Sequence, residues 1–205
     1  MRKYLLACAA AALMVAGTAS AAAALTILSS VNGFVRDSFA DGVPDSVNPV
    51  VIEIQRLDNT GNPEDRGVIE FDISGLSSPV TLATLNLLTV IDTIDPPWTV
   101  WVSGYAGDGV LGLDDFARTA GVTTFVIHTE TSFSVDVTPF INSMITAGET
   151  FAGFNLRIAS VPGFLVFSPN GTGPLPELSV DLPEPTTALL LVCGLVGLGV
   201  RRRLN

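Results

Sequence analysis

"RGVIEFDIS", residues 66–74, decides the fold. Ile69, Phe71 and Ile73 alternate with Glu70 and Asp72, a period of two that places three apolar side chains on one face of a strand and two carboxylates on the other. A strand of that kind needs partners that bury the apolar face, and the neighbouring sequence supplies them. "VVIEI" (50–54), "TLATLNLLTV" (81–90), "WTVWVSGYAG" (98–107), "TTFVIHT" (123–129), "SFSVDV" (132–137), "FAGFNLRIAS" (151–160), "FLVFS" (164–168) and "ELSVDL" (177–182) all read as short strands. Gly, Pro, Asn and Ser punctuate them: Pro96-Pro97 bars helix before the fourth of these segments, and Asn170-Gly171 suits a tight hairpin turn. The pattern predicts an all-β sandwich. The 123–129 and 132–137 segments are expected to form a hairpin.

One short helix is expected in "DVTPFINSMITAGE". Thr138 suits its cap and Pro139 its first turn. Phe140, Ile141, Met144 and Ile145 share a face, and Gly148 suits a left-handed end. A further helical turn is expected within "LDDFARTAG" (113–121).

The two ends have a different character. Met1, Arg2 and Lys3 precede an apolar run from Tyr4 to Gly17, and Ala19 and Ala21 stand at the −3 and −1 positions of a cleavage site. This is a secretory signal peptide, residues 1–21, cut after Ala21 by signal peptidase. As a helix, the apolar run spans only about 21 Å, short of a bilayer's roughly 30 Å core. At the other end, Pro183-Glu184-Pro185 is extended backbone, because each proline disfavours helix before it. An uncharged apolar run, Ala188 to Val200, follows, and Arg201, Arg202 and Arg203 hold its end on the cytoplasmic side. The run reaches roughly 20 Å as a helix, too short for comfortable permanent residence in a bilayer.

Between the ends lies a domain, residues 22–182, without cysteine: Cys8 and Cys193 are both in the terminal segments. An exported domain without disulfides depends on its apolar core, which a chain of this length can supply. Its charge is lopsided, with 19 acids against five arginines (Arg36, Arg56, Arg66, Arg118, Arg157) and no lysine, a net of −14. Such a surface repels phosphate backbones, which excludes nucleic acid as a partner, and it disfavours acidic polysaccharide.

The C-terminal segment, with its Pro-Glu-Pro, apolar run and arginine cluster, resembles the PEP-CTERM sorting signal of Gram-negative bacteria that make extracellular polysaccharide. The resemblance implies recognition by exosortase, a membrane-embedded cysteine transpeptidase, cleavage near Glu184, and delivery to the cell envelope, surface or exopolysaccharide matrix. The segment then touches the inner membrane only transiently. The domain, through "RGVIEFDISGL" (66–76), "ATLNL" (83–87), "VDVTPFI" (135–141), "FNLRIAS" and "PELSV", resembles the DNRLRE or family-96 carbohydrate-binding-like modules. That resemblance implies a jelly-roll-like sandwich, flanked here by an N-terminal signal helix and a C-terminal apolar sorting helix, and a link to polysaccharide.

Chemistry is sparse. His128 is the sole histidine, no serine occupies a Gly-x-Ser-x-Gly elbow, and the domain lacks a cysteine nucleophile. The expectation is a non-catalytic protein; the alternative is an exported carbohydrate-active hydrolase using two of the many carboxylates. Trp101 and Tyr105 fall on one strand face and form a candidate platform for a neutral sugar if Val100 and Val102 point inward; the alternative is that both rings pack in the sandwich or under the 108–116 loop. No cofactor is expected beyond a candidate structural calcium in "GYAGDGVLGLDDF" (104–116), with Asp108, Asp114 and Asp115 as ligands. Positions 104 and 106 lack side-chain oxygens, which excludes an EF-hand, and ordinary turn chemistry also accounts for these residues. The same holds for Asp37, Asp41 and Asp45 in "RDSFADGVPDS".

Overall fold

The computed structural model describes residues 24–56, 63–92, 98–118, 121–127, 132–158, 163–168 and 174–183. Ala24–Asp181 is one compact unit; Met1–Ala23 and Leu182–Asn205 make up a second, which lies outside the described residues except for Leu182 and Pro183. Ala21, Glu184, Pro185, Arg201, Arg202, Arg203 and His128 are likewise outside them.

Among the described residues the fold is antiparallel β with one α-helix. Its strands are β1 (Ala24–Leu28), β2 (Val31–Asp37), β3 (Ser46–Asn48), β4 (Ile52–Arg56), β5 (Glu64–Asp72), β6 (Leu82–Asp92), β7 (Trp98–Gly107), β8 (Gly121–Ile127), β9 (Ser132–Asp136), β10 (Phe151–Ile158), β11 (Gly163–Phe167) and β12 (Glu177–Asp181). The helix, α1, is Thr138–Ala147, and a 3₁₀ turn spans Leu113–Ala117. The strands run β1-β12-β6-β11-β4-β5-β10-β7-β8, with β2 joined to β5, β3 to β2 and β9 to β6. Strand β6 belongs to two ladders: Leu82–Leu88 pairs with β12 and β9, while Thr89–Asp92 pairs with β11.

Alternation along the strands selects the core. Ile69, Phe71 and Ile73 are buried, as are Val100 and Val102 of β7, Ala152, Phe154, Leu156 and Ile158 of β10, and Leu178 and Val180 of β12. Gly104 opens a gap on this face that the Phe140 ring of α1 fills, and a Cβ there would lie 2.7 Å from the ring. Phe140 in turn meets Phe154 edge to face, 5.2 Å between centroids, and Phe154 meets Phe71 at 6.0 Å. The helix thus plugs the apolar face of the β5–β10–β7 group.

Three local expectations change. The 123–129 and 132–137 segments do not pair: β8 lies against β7, and β9 against β6. Thr138 does not cap α1. The N-cap is Val137, and Asp136 Oδ1 accepts the backbone N–H of Thr138 (2.9 Å). The Thr138 hydroxyl instead donates to Asp136 Oδ1 (2.6 Å) and accepts the N–H of Ala83 (2.9 Å), tying the helix start to β6. At the far end Gly148 is left-handed, φ 76°, as its position predicts. Finally, the carboxylates of β5 part company: Asp72 is exposed, but Glu70 is fully buried.

Replacing Phe154 removes the ring on which Phe71 and Phe140 both pack. Phe154→Ala is expected to lower stability by about 3–5 kcal/mol in urea unfolding, with the α1 amides losing exchange protection first.

Candidate functional site

The register of β5, β10 and β7 builds a second, outer face. Glu70, Gly153 and Tyr105 stand in one row; Val68, Asn155 and Ser103 in the next; and Arg157 faces Trp101 in the row beyond. The segment from Asp108 through the 3₁₀ turn covers this face. Phe116, Val35 and Val68 form a small apolar cluster with Leu111 packed against it. Arg66 clamps the cover: its guanidinium stacks on the Phe116 ring (3.8 Å to the centroid) and donates to the Phe116 carbonyl and to Glu64. Asn155 Nδ2 donates to the Asp115 carbonyl at 2.8 Å.

Under that cover lie the polar groups. Glu70 Oε2 accepts the N–H of Gly109 (2.7 Å), whose left-handed φ of 83° bends the chain over the carboxylate. Asp115 Oδ2 accepts the N–H of Gly112 at 2.9 Å. The Tyr105 ring crosses above Gly153, where a Cβ would lie 2.4 Å from its Cζ, so only glycine admits the ring. Its hydroxyl couples to the carboxylates of both Glu70 and Asp115, yet makes no hydrogen bond of standard geometry with either. Burial raises the pKa of Glu70 and of Asp115, and burial with the neighbouring Glu70 and Asp115 carboxylates raises that of the Tyr105 phenol.

The residues singled out by sequence therefore separate. Val100 and Val102 point inward as the platform requires, and Trp101 is 37% exposed, but Tyr105 is 7% exposed beneath the loop. The two-ring platform does not form; Trp101 stands alone, with the Arg157 guanidinium 4.4 Å from its ring centroid. Asp108, Asp114 and Asp115 do not converge. Asp108 Oδ1 accepts the N–H of Val110 (2.9 Å), Asp114 pairs with Arg118 (2.8 Å), and only Asp115 turns inward. Among the described residues, no three His, Cys, Asp or Glu side chains gather as a metal shell. Asp37, Asp41 and Asp45 follow turn chemistry: buried Asp37 accepts the N–H groups of Phe39, Asp41 and Gly42, Asp41 that of Val43, and Asp45 that of Ser38. Glu70 and Asn155 were invisible as site residues, because a lone acid or amide on the polar side of a strand reads as solvated. The one sequence signal is the glycine-rich "GYAGDG" (104–109), which allows close backbone approach.

A second charged group lies at the β2–β5–β4 junction. Arg36 grips buried Asp65 with two hydrogen bonds of 2.7 Å and reaches Glu53 at 3.5 Å. Burial, with a hydrogen bond and like charge from Asp65, lifts the Glu53 pKa to about 7. Since the folded value lies above the ordinary 4.5, the fold favours neutral Glu53. Stability from this group is complete below pH 4.5 and declines as pH rises toward 7. Glu53→Gln, permanently neutral, is expected to exceed wild type in stability at pH 8 and to match it near pH 4, as read by urea midpoints at the two pH values.

In comparison with known proteins, no family model and no curated protein matches this chain.

Proposed function

We propose that this chain is an exported, non-catalytic protein of the envelope or exopolysaccharide matrix of a Gram-negative bacterium, delivered by its C-terminal sorting segment. The observation that carries the reading is the ordered tail: Pro183-Glu184-Pro185, the uncharged run from Ala188 to Val200, and Arg201–Arg203. In this reading signal peptidase removes residues 1–21, the domain occupies 22–182, and an exosortase-type transpeptidase cuts near Glu184 within residues 183–205. The fold supports it locally, because β12 ends at Asp181 and Pro183 is exposed, so the tripeptide begins just past the last strand. The antiparallel sheets are read further as a jelly-roll-like sandwich.

The domain's role is surface or matrix material, with neutral glycan as its candidate ligand through exposed Trp101. An indole supplies a flat apolar surface to a sugar's C–H face, and Arg157 packed on it holds the ring in place. The competing reading, a carbohydrate-active hydrolase, requires two carboxylates lining an open cleft. Glu70 and Asp115, the two carboxylates beside the Tyr105 hydroxyl, are 0% and 3% exposed and closed off from a polymer substrate.

Cells expressing the chain without its last 23 residues should retain or mislocalise the domain, whereas the full-length form reaches the surface without Arg201–Arg203. Identical distribution of the two forms, or a mature protein whose mass includes the arginines, overturns the sorting reading. On a neutral-glycan array, Trp101→Ala should lose about tenfold or more of any binding, given a stacking contribution of roughly 1–2 kcal/mol. Retained binding would remove Trp101 from the site.

A further inference from the structure

The enclosure beneath the Asp108–Ala117 segment holds more oxygen acceptors than hydrogens to satisfy them. Glu70 and Asp115 each receive one backbone N–H, from Gly109 and Gly112. Glu70 Oε1 and the Tyr105 hydroxyl oxygen have no hydrogen-bond partner, and neither do Asn155 Oδ1 and Ser103 Oγ one row along the sheet. All four residues are at least nine-tenths buried: Glu70, Asn155 and Ser103 at 0% exposure and Tyr105 at 7%. Asp108 adds a further negative charge that both buried carboxylates feel.

Among the described residues, no side-chain cation enters this space. Arg118 stacks on the Tyr105 ring at 5.2 Å and gives its Nη2 to Asp114 on the outside; Arg66 is committed to Glu64 and the Phe116 carbonyl. Two buried carboxyl groups, one with an oxygen that has no partner, are costly without a counter-charge, and the cost is met by a bound cation or by a retained proton. The donor set consists of oxygen alone, with two carboxylates, a phenol and nearby amide and hydroxyl oxygens. That set excludes soft metals and suits a hard cation with a loose, irregular shell.

We propose that this enclosure is a calcium site with Glu70, Tyr105 and Asp115 as its protein ligands, and that the ion latches the Asp108–Ala117 segment onto the outer face of β5–β10–β7. The site takes one aspartate from the glycine-rich loop and draws its other two ligands from the sheet. Asp108 and Asp114 stay outside, committed to the turn and to Arg118. The expected affinity is that of extracellular modules, a Kd of roughly 10⁻⁴–10⁻³ M. The proposal is independent of the sorting signal and of Trp101.

The test uses the full-length chain in mild detergent, stripped with a chelator and titrated with calcium chloride at low ionic strength. The melting temperature and calorimetric binding are followed, with magnesium chloride as a parallel titrant. Calcium is expected to raise the melting temperature and to increase amide protection from Gly109 to Phe116, with magnesium much weaker. Glu70→Gln is expected to abolish the shift, and Tyr105→Phe, which keeps the ring packed if the first variant fails to fold, to weaken calcium binding tenfold or more. Asp114→Asn should leave both readouts unchanged. Absence of a calcium effect on the wild-type chain overturns the proposal. A shift that survives in Glu70→Gln and Tyr105→Phe, or one lost in Asp114→Asn, overturns it too. Stabilisation of wild type by acid alone, reproduced without calcium by Glu70→Gln, would assign the enclosure to a retained proton instead.

Discussion

The shared register of β5, β10 and β7 is the constraint from which the rest follows. Because Glu70, Gly153 and Tyr105 stand in one row and Ile69, Phe154 and Gly104 in the adjacent one, each of the three strands carries two buried faces of opposite chemistry. The inner face is apolar and closed by the α1 ring of Phe140. The outer face is polar and closed by a loop. A one-residue slip in this ladder would exchange the two sets and drive a carboxylate, a phenol and an amide into the apolar core. Pairing and chemistry therefore enforce the same register.

Closing the outer face requires chain to approach chain, and glycine makes that possible. Gly153 leaves room for the Tyr105 ring, and Gly109 turns its N–H onto Glu70 in a backbone conformation that side chains resist. Cations are scarce in this acidic domain, and four of its five arginines make the same kind of contact. Arg36, Arg66, Arg118 and Arg157 each lie over an aromatic ring, Phe34, Phe116, Tyr105 and Trp101 respectively. A guanidinium that stacks on a ring and still donates in its own plane fastens a loop at two points, which an ammonium does poorly. With so many acids and so few bases, the negative surface favours dispersal in water.

The terminal segments make a separate physical argument. Under the proposed sorting, the apolar run before the arginines, roughly 20 Å long as a helix, is too short to stay comfortably in a bilayer. The domain carries its own core and no cysteine, so its release from such a segment would leave the sandwich intact.

The sequence by itself determined the antiparallel β class, the position of the helix, its left-handed glycine end and the inward faces of β5 and β7, because period and turn chemistry are local properties. It did not determine partners. The two strands after β7, expected to form a hairpin, lie in different ladders, β8 against β7 and β9 against β6. It left Tyr105 open between an exposed platform and a place under the loop, and it passed over Glu70. Alternation assigns side chains to a face, but only the folded chain shows whether that face meets water or a covering loop. Burial of Glu70, with the chemistry it brings, is decided by the Asp108–Ala117 segment, whose Gly109 stands 39 residues later in the chain and which Arg66 holds down.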